Sequence, residues 1–143
     1  MSVLALAVIG ALCWGIAPVA GKIGLAGVDP LVGLALRTLM ASAIVVGFVI
    51  GSGAWPQLER VPVQAWIPIG VEALLATLAG DLAYYAALKQ GEASTVALVM
   101  AASPLATVAA ASLWLREPVS WPVVLGALLI VAGVALVGRE MGG

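Results

Sequence analysis

The sequence predicts an all-α, polytopic membrane protein with five transmembrane helices, and three observations carry that fold class. Of 143 residues, 64% are apolar and only 9% are charged, against roughly 45–50% apolar in an ordinary soluble domain. The apolar residues fall into five runs, each about the 20 residues needed to cross a hydrocarbon core of ~30 Å at 1.5 Å per residue. Residues 41–50 and 123–137 are apolar nearly all round, whereas a membrane-spanning strand alternates with a period of two over roughly 10 residues.

The spans are expected at residues 2–21, 31–50, 66–88, 94–115 and 121–137, within a single domain covering residues 1–143. Asp29-Pro30 supplies an N-cap and a first-turn proline for the second span. Lys89-Gln90-Gly91 ends the third, and Ser94 and Ser120 are candidate caps for the fourth and fifth. Only residues 51–65, with Pro56 and Pro62, are long enough to form a true loop. Nothing basic precedes Lys22 and the first apolar run is long, so the first segment reads as a retained span rather than a signal peptide. The residues before Cys13 do not form a lipidation site.

Six basic residues, no two closer than fifteen positions, form no basic patch, so a nucleic-acid partner is not expected. A single cysteine and no histidine exclude an internal disulfide and the usual zinc sets, and no nucleophile stands at motif spacing from a base. Neither an enzyme, a metal nor a cofactor is expected.

Trp55, Trp66, Trp114 and Trp121 flank two connections on one side of the bilayer, where an aromatic belt belongs. Arg60 and Arg116 lie on the N-terminal side, Lys22, Lys89 and Arg139 on the other. This near-neutral bias is compatible with one orientation and with dual topology.

Function points to the ionisable residues inside spans, because a charge near the bilayer centre costs ~2.5–3.5 kcal/mol and normally faces protein or a wet cavity. Arg37 is six residues into the second span, and Asp81 is seven residues before the end of the third at that same side. Both therefore sit roughly 9–11 Å deep. They can form an ion pair that holds the two spans together or serves a site. Glu72 is nine positions before Asp81, half a turn away at 100° per residue, on a face with Ala76, Ala79 and Ala83. It reads either as an interface residue or as a proton or cation site. Asp81 shares its own face with Tyr84 and Tyr85.

Trp14-Gly15-Ile16-Ala17-Pro18 in the first span and Ser103-Pro104 in the fourth remove backbone donors near the midplane. Each serves as a packing kink or frees carbonyls for a ligand. Small residues at four-residue spacing, as at Ala17 and Gly21 or Ala102, Ala106 and Ala110, favour close helix packing.

Trp14-Gly15 with Pro18, Arg37, the run Tyr85-Ala86-Ala87-Leu88-Lys89, Ala97-Leu98 with Pro104, Glu117, and Gly126, Ile130 and Gly133 together resemble the EamA domain of the drug/metabolite transporter superfamily. The resemblance covers essentially the whole chain. Most members hold two such five-helix repeats, and this sequence looks like the half-sized branch. The resemblance implies a secondary transporter of small metabolites or drugs, with a cavity lined by the first four helices of each repeat and the fifth peripheral. It places Trp14, Arg37, Tyr84 and Tyr85 near the cavity or its gates, and makes Glu117 a structural cap before the fifth span. Residues 96–104 carry no ionisable group, unlike some half-sized relatives, so no coupling site is expected there.

The reading is therefore a multi-pass protein of the cell (cytoplasmic or inner) membrane that carries a small-molecule substrate by alternating access. Trp14, Arg37, Glu72, Asp81, Tyr84 and Tyr85 are its substrate or coupling residues, and Gly15, Pro18 and Pro104 its kinks or gates. Two inverted repeats build such a transporter, so one repeat per chain implies an antiparallel homodimer. The competing reading is a non-transporting membrane subunit or the partner repeat of a hetero-oligomer.

Overall fold

The computed structural model describes residues 2–141 of the chain. Among them every regular element is helical: α1 (Val3–Gly24), α2 (Pro30–Gly51), α3 (Trp55–Glu59), α4 (Val63–Ala73), α5 (Asp81–Gln90), α6 (Ala93–Met100), α7 (Ser103–Ala110) and α8 (Trp121–Met141). Two π-helical stretches, Leu74–Gly80 and Ala111–Leu115, join α4 to α5 and extend α7. Together these make five apolar helices long enough to span a membrane: Val3–Gly24, Pro30–Gly51, Val63–Gln90, Ala93–Leu115 and Trp121–Arg139. The protein is an all-α, multi-pass membrane protein.

The chain divides into two compact units. One runs over residues 19–90, and the other combines residues 1–18 with 91–143. In the first unit, the Asp29 carboxylate accepts the Leu31 N–H at 2.9 Å, and Pro30 opens the helix. α2 ends in a Schellman closure: Ala54 N–H reaches the Val49 carbonyl and Gly53 N–H the Ile50 carbonyl, which satisfies carbonyls the helix end leaves open. The stretch expected as loop is partly helical. Pro56 sits in the first turn of α3, where its fixed φ suits a helix start, and Trp55 Nε1 donates to Glu59 Oε1 at 3.0 Å, one turn on. Helix resumes at Val63, directly after Pro62, so the third span is 28 residues long.

Buried side chains are few, because most of the apolar surface faces outward to a solvent as apolar as itself. Leu25, Leu34, Tyr85 and Leu88 form the core of this unit, with Leu88 fully buried. A Cβ at Gly21 would lie 3.5 Å from Leu88 Cδ1. At the same end, Lys22 Nζ donates to the Leu88 carbonyl and Lys89 Nζ to the Val28 carbonyl at 2.8 Å. Each ammonium thus satisfies a main-chain acceptor at or beside a helix end.

In the second unit, α6 packs on α8 and Pro18 and Val96 are buried. α1 is helical throughout with Pro18 inside it, as membrane helices tolerate; the residue has no N–H to offer the Trp14 carbonyl. The fourth span does break. Its helix stops at Met100, turns through Ala101 and Ala102, and restarts at Ser103-Pro104, with Leu105 N–H on the Ala102 carbonyl. Ser94 is not the cap of that span: α6 already begins at Ala93, with Glu92 at the N-cap position and Val96 N–H on its main-chain carbonyl. The second π-helical stretch closes on Arg116, at φ 55° and ψ 33°, a left-handed conformation uncommon outside glycine.

Candidate functional site

The Asp29 cap and Pro30 fix where α2 starts, and so place Gly33 and Arg37 one turn apart on the same face. Opposite them on α5, Asp81, Tyr85 and Leu88 recur at helical spacing. A Cβ at Gly33 would stand 2.6 Å from Leu25 Cδ2 and 3.5 Å from Tyr85 Cε2. The bare backbone at position 33 therefore leaves room for the Leu25 side chain, and it lies beside the Tyr85 ring, which even a Cβ there would only touch at ordinary contact distance. One turn further along α2, Arg37 Cζ lies 5.8 Å from the centroid of that ring, within cation–π range.

Arg37 Nη1 and Asp81 Oδ2 are 2.6 Å apart. The two ends of the pair differ in access: the arginine side chain is 45% exposed and the aspartate 16%. Tyr84 and Tyr85 flank the aspartate, their ring centroids 6.1 Å apart and their planes inclined at 53°. The equal depth of Arg37 and Asp81 in their spans is thus matched by a direct contact.

The aspartate is carried to this position by a feature that the periodicity did not reveal. Directly before it, residues 74–80 wind as a π-helix, and Asp81 N–H donates to the Ala76 carbonyl, five residues back. Such widened turns are frequent at functional sites. Counting 100° per residue from Glu72 to Asp81 does not hold across this stretch, so the expected half-turn between them does not follow from the count. What is observed is that Glu72, Ala76, Ala79 and Ala83 are exposed while Asp81 is partly buried. Glu72 is nine residues from the start of the span Val63–Gln90, and Asp81 nine from its end. Among the described residues, no ion pair joins Glu72.

Beside the pair, a groove of about 370 Å³ runs between α2 and the third span. Arg37, Thr38, Ser42 and Thr77 give it polar points, and Ala41, Val45 and Val46 an apolar wall. A larger groove of about 580 Å³ adjoins it, shares Thr38 and Thr77, and is otherwise lined by apolar residues and Gly70. Thr38, Ser42 and Thr77 were not among the sequence-derived candidates. A hydroxyl in an apolar run carries no periodic signal, although Thr38 and Ser42 at four-residue spacing beside Arg37 could have been read as one helix face.

The remaining candidates belong to the other unit. Trp14 is 77% exposed on α1, with Gly15 beside it and Pro18 one turn on. Pro104 stands in the first turn of α7. Glu117 follows the left-handed Arg116, and it is its main-chain N–H that donates to the Ala111 carbonyl, at 3.3 Å.

Comparison with known proteins adds to this geometry. A family model described as that of EamA-like transporters matches residues 1–139. A curated protein of Sinorhizobium sp., described as an "uncharacterized transporter in cobO 3'region", is 30% identical over 115 residues, which cover 80% of this chain and 81% of that relative. No solved structure matches the chain.

Proposed function

The chain belongs to the EamA-like transporter family, and from that premise we propose that it is a secondary transporter that moves a small solute by alternating access as an antiparallel homodimer in the cell membrane. The carrying observation is the Arg37–Asp81 pair, deep within two spans, in contact with Tyr85 and open to a groove on its arginine side. Ionisable groups at such depth mark solute or ion pathways. Arg37 contacts the solute, with Tyr84 and Tyr85 beside it near the cavity or its gates; Asp81 holds Arg37 and takes part in coupling, and Glu72 is a second coupling carboxylate. Trp14 with Gly15 and Pro18, and Pro104 at the broken fourth span, serve as gates, and Glu117 closes the turn before α8.

Assembly follows from counting spans. Five crossings place the two ends of the repeat on opposite sides of the bilayer, and secondary transporters of this class build their two gates from inverted repeats around a midplane site. A second copy inserted the other way supplies the inverted partner, which the near-neutral Lys/Arg balance of the flanks permits.

Uptake into proteoliposomes tests this reading. Purified protein should give saturable, solute-selective flux that Asp81→Asn reduces at least tenfold while the protein remains folded. A protein that reconstitutes and folds but gives no saturable flux with any small metabolite would be a non-transporting subunit.

A further inference from the structure

We propose that the groove beside Arg37 is an anion subsite, built to take a carboxylate or comparable oxyanion of the solute on Arg37 and the hydroxyls of Thr38, Ser42 and Thr77. The inference deepens the transporter reading and rests on it. Its first support is the asymmetry of the ion pair, since the accessible partner is the cation: Arg37 is 45% exposed and Asp81 16%. A solute entering the groove therefore meets a guanidinium before it meets a carboxylate.

Donor arithmetic gives the second support. A guanidinium carries five N–H donors in a planar fork suited to carboxylates. The observed contact joins Nη1 to Asp81 Oδ2, and Cζ lies 5.8 Å from the centroid of the Tyr85 ring. Arg37 also lines the groove, so the donors of the fork that Asp81 does not use can serve a second acceptor there. Thr38, Ser42 and Thr77 line the same groove, each with a hydroxyl able to donate one hydrogen bond, and no lining residue of this groove is acidic. The Ala41, Val45 and Val46 wall suits an apolar body attached to the anionic head.

Benzoate, benzamide and benzamidinium test the assignment, because they share one shape and differ in charge. Thermal unfolding of the full chain, purified in detergent, is followed at rising concentration of each probe. Benzoate should raise the midpoint saturably, with benzamide and benzamidinium at least tenfold weaker. Thr38→Val combined with Thr77→Val should weaken benzoate at least tenfold, since even one hydrogen bond to a charged group is worth about that much. Arg37→Gln should abolish the shift, and Thr107→Val in α7 should leave it unchanged. Equal stabilisation by all three probes, no stabilisation by any, or a benzoate response that survives the Thr38/Thr77 double variant would overturn the subsite. The hydroxyl double variant keeps the test decisive if Arg37→Gln does not fold. Saturable transport of other solutes without benzoate binding would reject the subsite and leave the transporter reading standing, whereas benzoate binding without any flux would do the reverse.

Discussion

A side chain at position 80 would press on the chain one widened turn below it: a Cβ on Gly80 would stand 3.0 Å from the Leu75 carbonyl oxygen. Position 80 is the last residue of the π-helical stretch, and Asp81 follows at once. The obstructing atom is backbone, so it cannot turn aside as a flexible side chain would. Gly80→Ala should therefore destabilise the protein by about 1–3 kcal/mol, as overpacking does. Gly70→Ala, in the same span with nothing within 4 Å, should be neutral or stabilise by up to ~1 kcal/mol. Thermal or denaturant unfolding in detergent gives both numbers, and equal effects at the two positions would show that the widened turn tolerates a side chain.

Arg37 and Asp81 should behave energetically as a unit. Removing one partner strands the other charge inside the span, the aspartate more severely because it is the less exposed of the two, so Asp81→Asn and Arg37→Gln should each destabilise more than the double variant. A double-mutant cycle measures the coupling. Simple additivity of the two single effects would mean that the contact contributes nothing.

Glu72→Gln and Asp81→Asn separate the two carboxylates by role. Asp81→Asn loses the Arg37 partner and should abolish transport, whereas Glu72→Gln, which has no ion pair to break among the described residues, should leave stability within about 0.5 kcal/mol and alter the pH dependence of flux. Uptake measured across a pH series in proteoliposomes gives the answer; a Glu72→Gln profile identical to wild type would confine Glu72 to helix packing.

Dual topology predicts equal access from both faces of the membrane. Single cysteines near Met1 and near Gly143, in a Cys13→Ala background, should each be labelled by an impermeant reagent in about half of the molecules in intact cells, as a near-neutral flanking charge allows. Labelling at only one terminus would exclude the antiparallel dimer.

How far the sequence reaches depends on whether the deciding interaction is local. The five spans are legible because apolar length is a one-dimensional property, and the Asp29-Pro30 start of α2 because a cap is made by neighbours in the chain. Arg37 and Asp81 were found through equal depth, a consequence of rise per residue alone. The widened turn before Asp81 was missed because Leu74-Leu75-Ala76-Thr77-Leu78-Ala79-Gly80 suits an α-helix equally well. Thr38 and Thr77 were missed because only the packing of α2 against the third span brings hydroxyls from two helices to one groove. Ser94 looked like a cap by residue type, but residue type does not settle which of two adjacent positions starts the helix.

The two lysine contacts also have a mechanical meaning. Lys22 on the Leu88 carbonyl and Lys89 on the Val28 carbonyl rivet α1, the α1–α2 turn and α5 together where α5 ends, next to the Leu25, Leu34 and Leu88 core. The opposite ends of α2 and α4, around Phe48 and Trp66, have no comparable fastening among the described residues. In residues 19–90 the helix ends are thus fastened at the lysine side, while at the other side α2 and α4 are tied through the chain that runs over α3. Loosening the rivet with Lys89→Met should free the α1–α2 turn from the end of α5 while leaving Arg37 and Asp81 themselves untouched.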